Sequence, residues 1–151
     1  MAKEYQELTR LIERLHRRFL DVLRSELGRL DVKDINGVQA LLLANVGDSE
    51  IVIRDLIERG YYQGSNVSYN IKKLTDLGYL EQERSAHDRR SVSVRLTGKA
   101  RKVVARIKEF EELNAGKLDE HGLGAEKIEE VLDALRRLEG IWSDAIHYGS
   151  G

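Results

Sequence analysis

The sequence predicts a mainly α-helical fold with one small β-hairpin, and three observations lead to this prediction. Apolar residues recur at three- and four-residue intervals near both ends of the chain, as they do on one face of a helix. Two short periodic segments flank a turn in the middle of the chain, and two strand-like segments follow them. The 151 residues include no proline, which favours long, unbroken helices.

The N-terminal part of the chain is predicted to form two helices. The first covers residues 5–27, and Gly28 offers a stop. The second covers residues 36–46, with Asn36 as its N-cap and Gly47 as its terminator. The apolar stripe that defines the first helix consists of Leu8, Leu11, Ile12, Leu15, Phe19, Val22, Leu23 and Leu27.

The middle of the chain is predicted to form a helix-turn-helix. Residues 51–58 form a short helix, residues 59–62 form a tight turn, and residues 63–77 form a second helix that Gly78 closes. The inward positions of this second helix are Val67, Ile71 and Leu74.

A β-hairpin and two further helices complete the predicted fold. Residues 79–84 and 91–96 read as strands, and the polar segment 85–90 between them forms the hairpin loop, or wing. Thr97 is the expected N-cap of a helix that continues to about Asn114. A last apolar stripe runs from Ile128 to Trp142. The expected architecture is therefore a winged helix-turn-helix flanked by N- and C-terminal helices.

Composition excludes several classes of protein. With 41% apolar and 34% charged residues the chain is expected to fold, and because it shows neither a membrane span nor a signal peptide, we expect a cytoplasmic location. The absence of cysteine excludes disulfides and thiolate zinc sites, and the four histidines lack paired metal-ligand spacing. Phosphate-binding glycine loops and nucleophile motifs are also lacking, so we expect neither an enzyme nor a cofactor.

The distribution of charge is more informative than the net charge of -1. Residues 84–106 contain eight Lys or Arg residues and one acid, Asp88, whereas residues 107–147 contain eleven acids and five bases. Taken alone, this distribution is better explained by two solvated helix faces of opposite sign, but the neighbouring motifs favour a nucleic-acid surface.

Residues 53–99 resemble the winged helix-turn-helix regulators of the multiple-antibiotic-resistance-regulator (MarR) family. Two segments carry the resemblance: residues 66–80, and residues 88–97, which are similar to the family's Asp-x-Arg wing motif followed by Leu-Thr. The chain departs from the family pattern in its turn, because Gly60 lies one position early, Tyr61 takes the usual glycine position, and Ile57 replaces a small residue. The geometry of this turn is therefore left open.

Double-stranded DNA is the expected partner, read by the second helix of the motif in the major groove. Short polar side chains on its first turns suit base edges, and its lysines suit phosphates. Helix capping or simple solvation would explain any one of these residues alone. The predicted contact residues of the helix are Ser65, Asn66, Ser68, Tyr69, Asn70, Lys72 and Lys73.

The wing is expected to place Arg90 in the minor groove. The resemblance implies that Asp88 orients Arg90 through an ion pair, and Arg89 and Arg84 would contact flanking phosphates. The alternative is an exposed Asp–Arg pair that only stabilises the hairpin, which contributes at most about 1 kcal/mol.

The terminal helices, residues 1–34 and 107–151, are predicted to interlock two copies of the chain around the winged segment 35–106, forming one intertwined domain. A homodimer would cover the apolar stripes of these helices, and Phe19 and Trp142 are expected to lie in its core. Its two-fold symmetry would match a pseudo-palindromic operator. The resemblance implies a repressor that is released by a small aromatic or anionic effector, for which His16, Arg17 and Phe19 are the candidate ligands. The alternative function is a winged-helix module that binds protein or RNA.

Overall fold

A computed structural model describes residues 1–60, 62–84 and 91–149 and confirms the mainly α-helical fold with a small antiparallel sheet. The elements fall into two units, one ending at Lys108 and the other beginning at Glu109. In chain order the elements are α1 (Ala2–Arg29), α2 (Gly37–Val46), β1 (Ile51–Val52), α3 (Ile53–Gly60), α4 (Gly64–Asp76), β2 (Leu80–Arg84), β3 (Val92–Leu96), α5 (Gly98–Glu120) and α6 (Ala125–Tyr148).

The helix α1 continues through Gly28, so the prediction that this glycine stops the helix was wrong. The helix ends instead at Arg29, with Leu30 as its C-cap, and the next residue, Asp31, has a φ of 59° in the left-handed region. Asp31 N donates to Gly28 O over 3.2 Å, and Val32 N donates to Leu27 O over 2.9 Å. These two hydrogen bonds form a Schellman motif, in which Asp31 takes the position that glycine usually occupies.

The helix α2 has the caps that the sequence predicts. Asn36 Oδ1 accepts a hydrogen bond from Gln39 N over 2.8 Å, and Asn36 N donates to Gln39 Oε1 over 3.0 Å. The two residues thus form a reciprocal capping box, which satisfies two of the amide groups at the start of the helix. Gly47 follows the helix with a φ of 78°, a conformation that favours glycine.

The strand β1 is a correction to the predicted helix over residues 51–58. Ile51 pairs with Val94, and Val52 pairs with Ser93, so these two residues extend the sheet. The helix α3 begins only at Ile53 and continues through Gly60, which the sequence assigned to the turn. Periodicity missed the strand because two residues are too short to show alternation, and their pairing partners lie about forty residues away.

The two strands of the predicted hairpin form and pair, and each is one residue shorter than predicted. The antiparallel pairing of β2 and β3 runs from Leu80 opposite Leu96 to Arg84 opposite Val92, and β3 lies between β1 and β2 in the sheet. Leu80, Val94 and Leu96 are buried on one face of the hairpin, whereas the pair Glu81 and Arg95 is exposed on the other. The hairpin is thereby fixed to the core by its apolar face.

The core of the first unit lies between the helices and the sheet. The helix α1 contributes Leu23 and Leu27, and the start of α5 contributes Ala100, Val103 and Ile107. Each fully buried leucine stabilises the fold by about 1.5–3 kcal/mol. The largest fully buried side chains are Leu23, Leu27, Leu42, Leu43, Leu56, Leu74, Leu80, Val46, Val67 and Val94.

The helix α5 begins as predicted and ends later. Thr97 Oγ1 accepts from Ala100 N over 3.3 Å, which confirms Thr97 as the N-cap. The helix then continues to Glu120, so the predicted end near Asn114 was wrong. It ends where Gly122 adopts a φ of 77° and Leu123 N donates to Leu118 O over 2.9 Å.

The helix α6 has no buried residue within the part of the chain that the structure describes. Most of its apolar side chains are instead exposed, as are most of those of the N-terminal half of α1. Neither helix, nor any other among the described residues, is long and apolar enough to cross a membrane. The exposed apolar residues of α6 include Val131, Leu132, Leu135, Ile141 and Ile146.

Candidate nucleic-acid interface

The helix α4 presents a polar face to solvent because its apolar residues anchor the opposite face in the core. Val67, Ile71 and Leu74 are buried, as the sequence predicts, at the spacing of one helix face. Leu77 caps the helix, and Gly78 follows with a φ of 84° that lets the chain turn into β2. The predicted contact residues that are exposed on this helix are Ser65, Asn66, Ser68, Tyr69, Lys72 and Lys73.

The C-terminal half of α4 carries a shallow depression of about 390 Å³, lined by Tyr69, Lys72, Lys73, Asp76 and Leu77. Neither lysine has an acidic partner within the described residues, so both ammonium groups are available to an anionic ligand. Tyr69 is 64% exposed and adds an aromatic ring to the same surface. Asp76, which no sequence motif singles out, lies at the far end of this surface, where its carboxylate disfavours phosphate.

Asn70 differs from its neighbours on α4 because it is half-buried and turned toward α2. Its Oδ1 accepts a hydrogen bond from Gln39 Nε2 over 3.2 Å, and Gln39 is only 4% exposed. Gln39 also belongs to the capping box of α2, so one buried side chain links the start of α2 to the middle of α4. The structure therefore places Asn70 where it tethers α4 to the fold.

The turn before α4 owes its unusual sequence to Tyr62. A Cβ added at Gly60 would lie 2.0 Å from Tyr62 Cε2, so a residue larger than glycine cannot occupy this position without moving the ring. Tyr62 packs against the core, and its hydroxyl is hydrogen-bonded to Asn45 Nδ2. Arg59 Nη1 donates to Asn45 O over 2.9 Å. The early glycine thus makes room for a tyrosine that anchors the turn on α2.

The wing is described only up to its strands. Arg84 is exposed at the end of β2, opposite Val92, and has no acidic partner among the described residues. Asp88, Arg89 and Arg90 lie outside the described residues, as does Tyr61 in the turn. The described strands β2 and β3 flank residues 85–90, and the contacts predicted for those residues stay predictions.

The basic run between residues 84 and 106 is partly neutralised by acids from other elements. Arg95 Nε donates to Glu81 Oε2 across the hairpin over 2.7 Å, and this hydrogen bond raises the pKa of Arg95 above its ordinary value. Lys99 Nζ lies 3.5 Å from Asp34 Oδ2. Counting charges along the sequence missed both pairs because the partners lie 14 and 65 residues away.

The predicted effector residues all lie exposed on α1. Arg17 Nη1 forms an ion pair with Glu13 Oε1 over 2.7 Å, and Phe19 belongs to the apolar stripe of this helix. The role of His16, Arg17 and Phe19 as effector ligands stays a prediction. The exposed members of the stripe, between 38% and 53% accessible, are Leu8, Leu11, Leu15, Phe19 and Val22.

Metal-binding residues do not cluster in the described part of the chain: no group of three His, Asp or Glu side chains comes together there. The exposed polar side chains of α4 and of the end of β2 include lysines, an arginine, hydroxyls and one tyrosine. Such a set binds through charge and hydrogen bonds, as proteins bind nucleic acid.

Known proteins that resemble this chain include DNA-binding domains and a transcriptional regulator. A family model described as a winged helix DNA-binding domain matches residues 35–100. The chain is also 37% identical, over 145 residues, to the exopolysaccharide II synthesis transcriptional activator ExpG of Rhizobium meliloti (strain 1021). This match covers 96% of the chain and 75% of the relative.

Solved structures of transcriptional regulators share the fold. Streptococcus pneumoniae FabT in complex with DNA superposes with a TM-score of 0.75 at 23% identity, covering 93% of this chain and 98% of FabT. A mutant MarR from E. coli complexed with operator DNA gives 0.74 at 19% identity, covering 91% and 97%. The regulator SlyA gives 0.77 at 20% identity, covering 93% and 97%.

Proposed function

Because the chain belongs to the MarR family of winged helix-turn-helix transcriptional regulators, we propose that it binds a pseudo-palindromic DNA site as a homodimer and controls transcription from it. The observation that carries this proposal is the exposed polar face of α4, which is held outward by the buried residues Val67, Ile71 and Leu74. A rigid helix with such a face fits the major groove.

The two halves of α4 are suited to different parts of DNA. Ser65, Asn66 and Ser68 lie on the first turns, where short polar side chains reach base edges and provide sequence preference. Lys72 and Lys73 lie further along and are suited to phosphates, which provide affinity and register. Asn70 contributes indirectly, since its hydrogen bond with Gln39 holds the helix in place.

The wing is proposed to contact the adjacent minor groove. An arginine at the tip of a short hairpin reaches into narrow, A·T-rich grooves, where the negative potential is strongest. We assign this contact to Arg90, oriented by Asp88, with Arg84 and Arg89 on flanking phosphates. The antiparallel pairing of β2 and β3 supports this role because it fixes both ends of the loop.

The proposed homodimer is formed by the exposed apolar faces of α1 and α6, each of which a second copy of the chain would cover. The charges of the two helices favour this pairing: α1 carries seven basic and five acidic residues, and α6 carries three basic and six acidic residues. Two copies related by a two-fold axis would present their α4 helices to half-sites about one turn of DNA apart, roughly 34–36 Å.

The direction of regulation is proposed to be activation. The sequence led us to expect a repressor, but ExpG, the relative at 37% identity, is an activator of exopolysaccharide II synthesis. We therefore propose that this chain activates genes for the synthesis of an exopolysaccharide. A reporter placed behind the bound DNA site tests this direction, since loss of the protein lowers transcription from an activated promoter and raises it from a repressed one.

The decisive experiment selects genomic DNA fragments from the source organism with the purified full-length protein. We expect enrichment of a pseudo-palindrome, and an affinity for it that falls steeply with salt because phosphate contacts release counterions. Arg90→Ala should weaken binding strongly, and the double variant Lys72→Ala, Lys73→Ala should lower the salt dependence. Enrichment of no duplex, salt-insensitive binding, or an unaffected Arg90→Ala variant would contradict the proposal and favour a protein- or RNA-binding module.

A further inference from the structure

The C-terminal end of α4 is held by the residues that begin α5. Thr97 Oγ1 donates to Gly78 O over 2.7 Å, and Lys99 Nζ donates to Leu77 O over 2.9 Å. Carbonyl groups at the end of a helix lack partners within the helix and carry partial negative charge. The ammonium group of Lys99 is therefore attracted to the C-terminal end of α4 in addition to its hydrogen bond with Leu77 O.

Lys99 is also fixed from its other side. Its Nζ lies 3.5 Å from Asp34 Oδ2 and 4.2 Å from the centre of the Tyr79 ring. The Tyr79 hydroxyl donates to Asp34 Oδ1 over 2.7 Å, and Tyr79 is 2% exposed. This hydrogen bond lowers the pKa of Asp34 below its ordinary value, so Asp34 stays ionised beside Lys99 at neutral pH.

These contacts make Lys99 a junction of three parts of the first unit: the connection between α1 and α2, the end of α4, and the first turn of α5. The lysines on the exposed face of α4 are different, because Lys72 and Lys73 have no acidic partner among the described residues. A lysine that is bound to a carbonyl, a carboxylate and a ring has less freedom to reach a phosphate than either of them.

We infer that Lys99 is a positioning residue for DNA recognition: it holds the end of α4 against α5 and so sets the direction in which α4 enters the major groove. This inference rests on the proposed use of α4 as the recognition helix. Base contacts require close alignment, whereas attraction to phosphates tolerates small displacements. Loss of the junction should therefore reduce specific binding more than non-specific binding.

Lys99→Met tests the inference because it removes the ammonium group and keeps an aliphatic chain over the Tyr79 ring. Lys102→Met is the matched control, since Lys102 is exposed on the same helix, has no acidic partner among the described residues, and loses the same charge. Affinities are measured over a range of salt for the duplex enriched in the selection and for a scrambled duplex of the same length.

For Lys99→Met we expect about a tenfold loss of affinity for the enriched duplex, because binding must then supply the free energy of positioning α4 that one charge-assisted hydrogen bond supplies in the unmodified chain. Its affinity for the scrambled duplex and its salt dependence should match those of Lys102→Met. An equal loss on both duplexes with a salt slope lower by about one would identify a phosphate contact instead. An enriched-duplex affinity equal to that of Lys102→Met would show a charge effect alone, and either result overturns the inference.

Two further variants separate the possible failures. Tyr79→Phe removes only the hydroxyl that holds Asp34. We expect it to lower the affinity for the enriched duplex more than that for the scrambled duplex, by a smaller factor than Lys99→Met does. This variant decides the question if circular dichroism shows that Lys99→Met does not fold. If the double variant Lys72→Ala, Lys73→Ala leaves DNA affinity unchanged, the proposed use of α4 fails. If that double variant weakens binding while neither Lys99→Met nor Tyr79→Phe loses selectivity, this inference alone fails.

Discussion

The two units of the chain differ in where their apolar side chains lie. In the unit ending at Lys108, apolar residues from helices and strands enclose a common core, whereas α6 of the other unit has no buried residue among those described. In the sequence, however, the helix α1 of the first unit and the helix α6 of the second both carry a stripe of apolar residues at helical spacing. Apolar periodicity therefore identifies an amphipathic helix. It does not reveal whether the apolar face of that helix packs against the same chain or against a second one.

The strongest test of this difference is a pair of leucine truncations. Leu43 in α2 is fully buried, whereas Leu135 in α6 is 39% exposed. Leu43→Ala should lower the free energy of unfolding by about 2–5 kcal/mol, because it removes buried methyl groups and leaves a cavity. Leu135→Ala should cost much less in dilute protein and should weaken self-association.

Urea unfolding at two protein concentrations, together with analytical ultracentrifugation, measures both effects. An equal cost for Leu135→Ala and Leu43→Ala in dilute protein, with self-association unchanged, would contradict the comparison. It would mean that α6 is stabilised within a single chain rather than by a second copy.

Local signals account for the parts of the fold that the sequence predicted. Asn36 and Gly47 mark the ends of α2, Thr97 marks the start of α5, and the buried face of α4 follows from the spacing of Val67, Ile71 and Leu74. Each of these signals depends on residues within a few positions of one another. Such signals are readable without knowing the tertiary structure.

The features that the sequence missed depend on distant partners. The strand β1 exists because Ile51 pairs with Val94, and the tethering position of Asn70 depends on a buried side chain of α2. The pairing of Lys99 with Asp34 spans 65 residues. Of the candidate site, the exposed face of α4 was therefore predictable, whereas the contacts that hold and orient this helix were not.

A second pair of variants compares two glycines, one in each unit. Gly60 is crowded by the Tyr62 ring, whereas a Cβ added at Gly116 of α5 would meet no atom within 4 Å. Gly60→Ala should destabilise the fold by about 1–3 kcal/mol, because the ring must leave its packed position. Gly116→Ala should stabilise it by about 0.4–1 kcal/mol, because alanine restricts the unfolded chain.

Thermal unfolding at a fixed protein concentration measures both changes. The Tyr62→Phe variant is a useful addition, since it retains the ring and removes the hydroxyl that is bound to Asn45. If Gly60→Ala were as harmless as Gly116→Ala, the turn before α4 would not depend on the packing of Tyr62.

The smallest expected effect contrasts a buried tyrosine of the first unit with an exposed one of the second. Burial, with a further contribution from the hydrogen bond to Asp34, raises the pKa of Tyr79 to about 12. The unfolded chain loses this proton nearer pH 10, so the stabilisation is complete below pH 10 and is lost as the pH rises toward 12. At pH 11 the loss should be about 1 kcal/mol.

Unfolding by urea between pH 8 and pH 11 measures this loss against two variants. The stability difference between the unmodified chain and Tyr79→Phe should shrink as the pH rises above 10, because only the former loses the contribution of a buried phenol. Tyr148 is 84% exposed in the last turn of α6, so Tyr148→Phe is the control for the loss of a tyrosine hydroxyl outside the core. A constant difference for Tyr79→Phe over the whole range would show that its hydroxyl is not held in the fold, and would also weaken the junction assigned to Lys99.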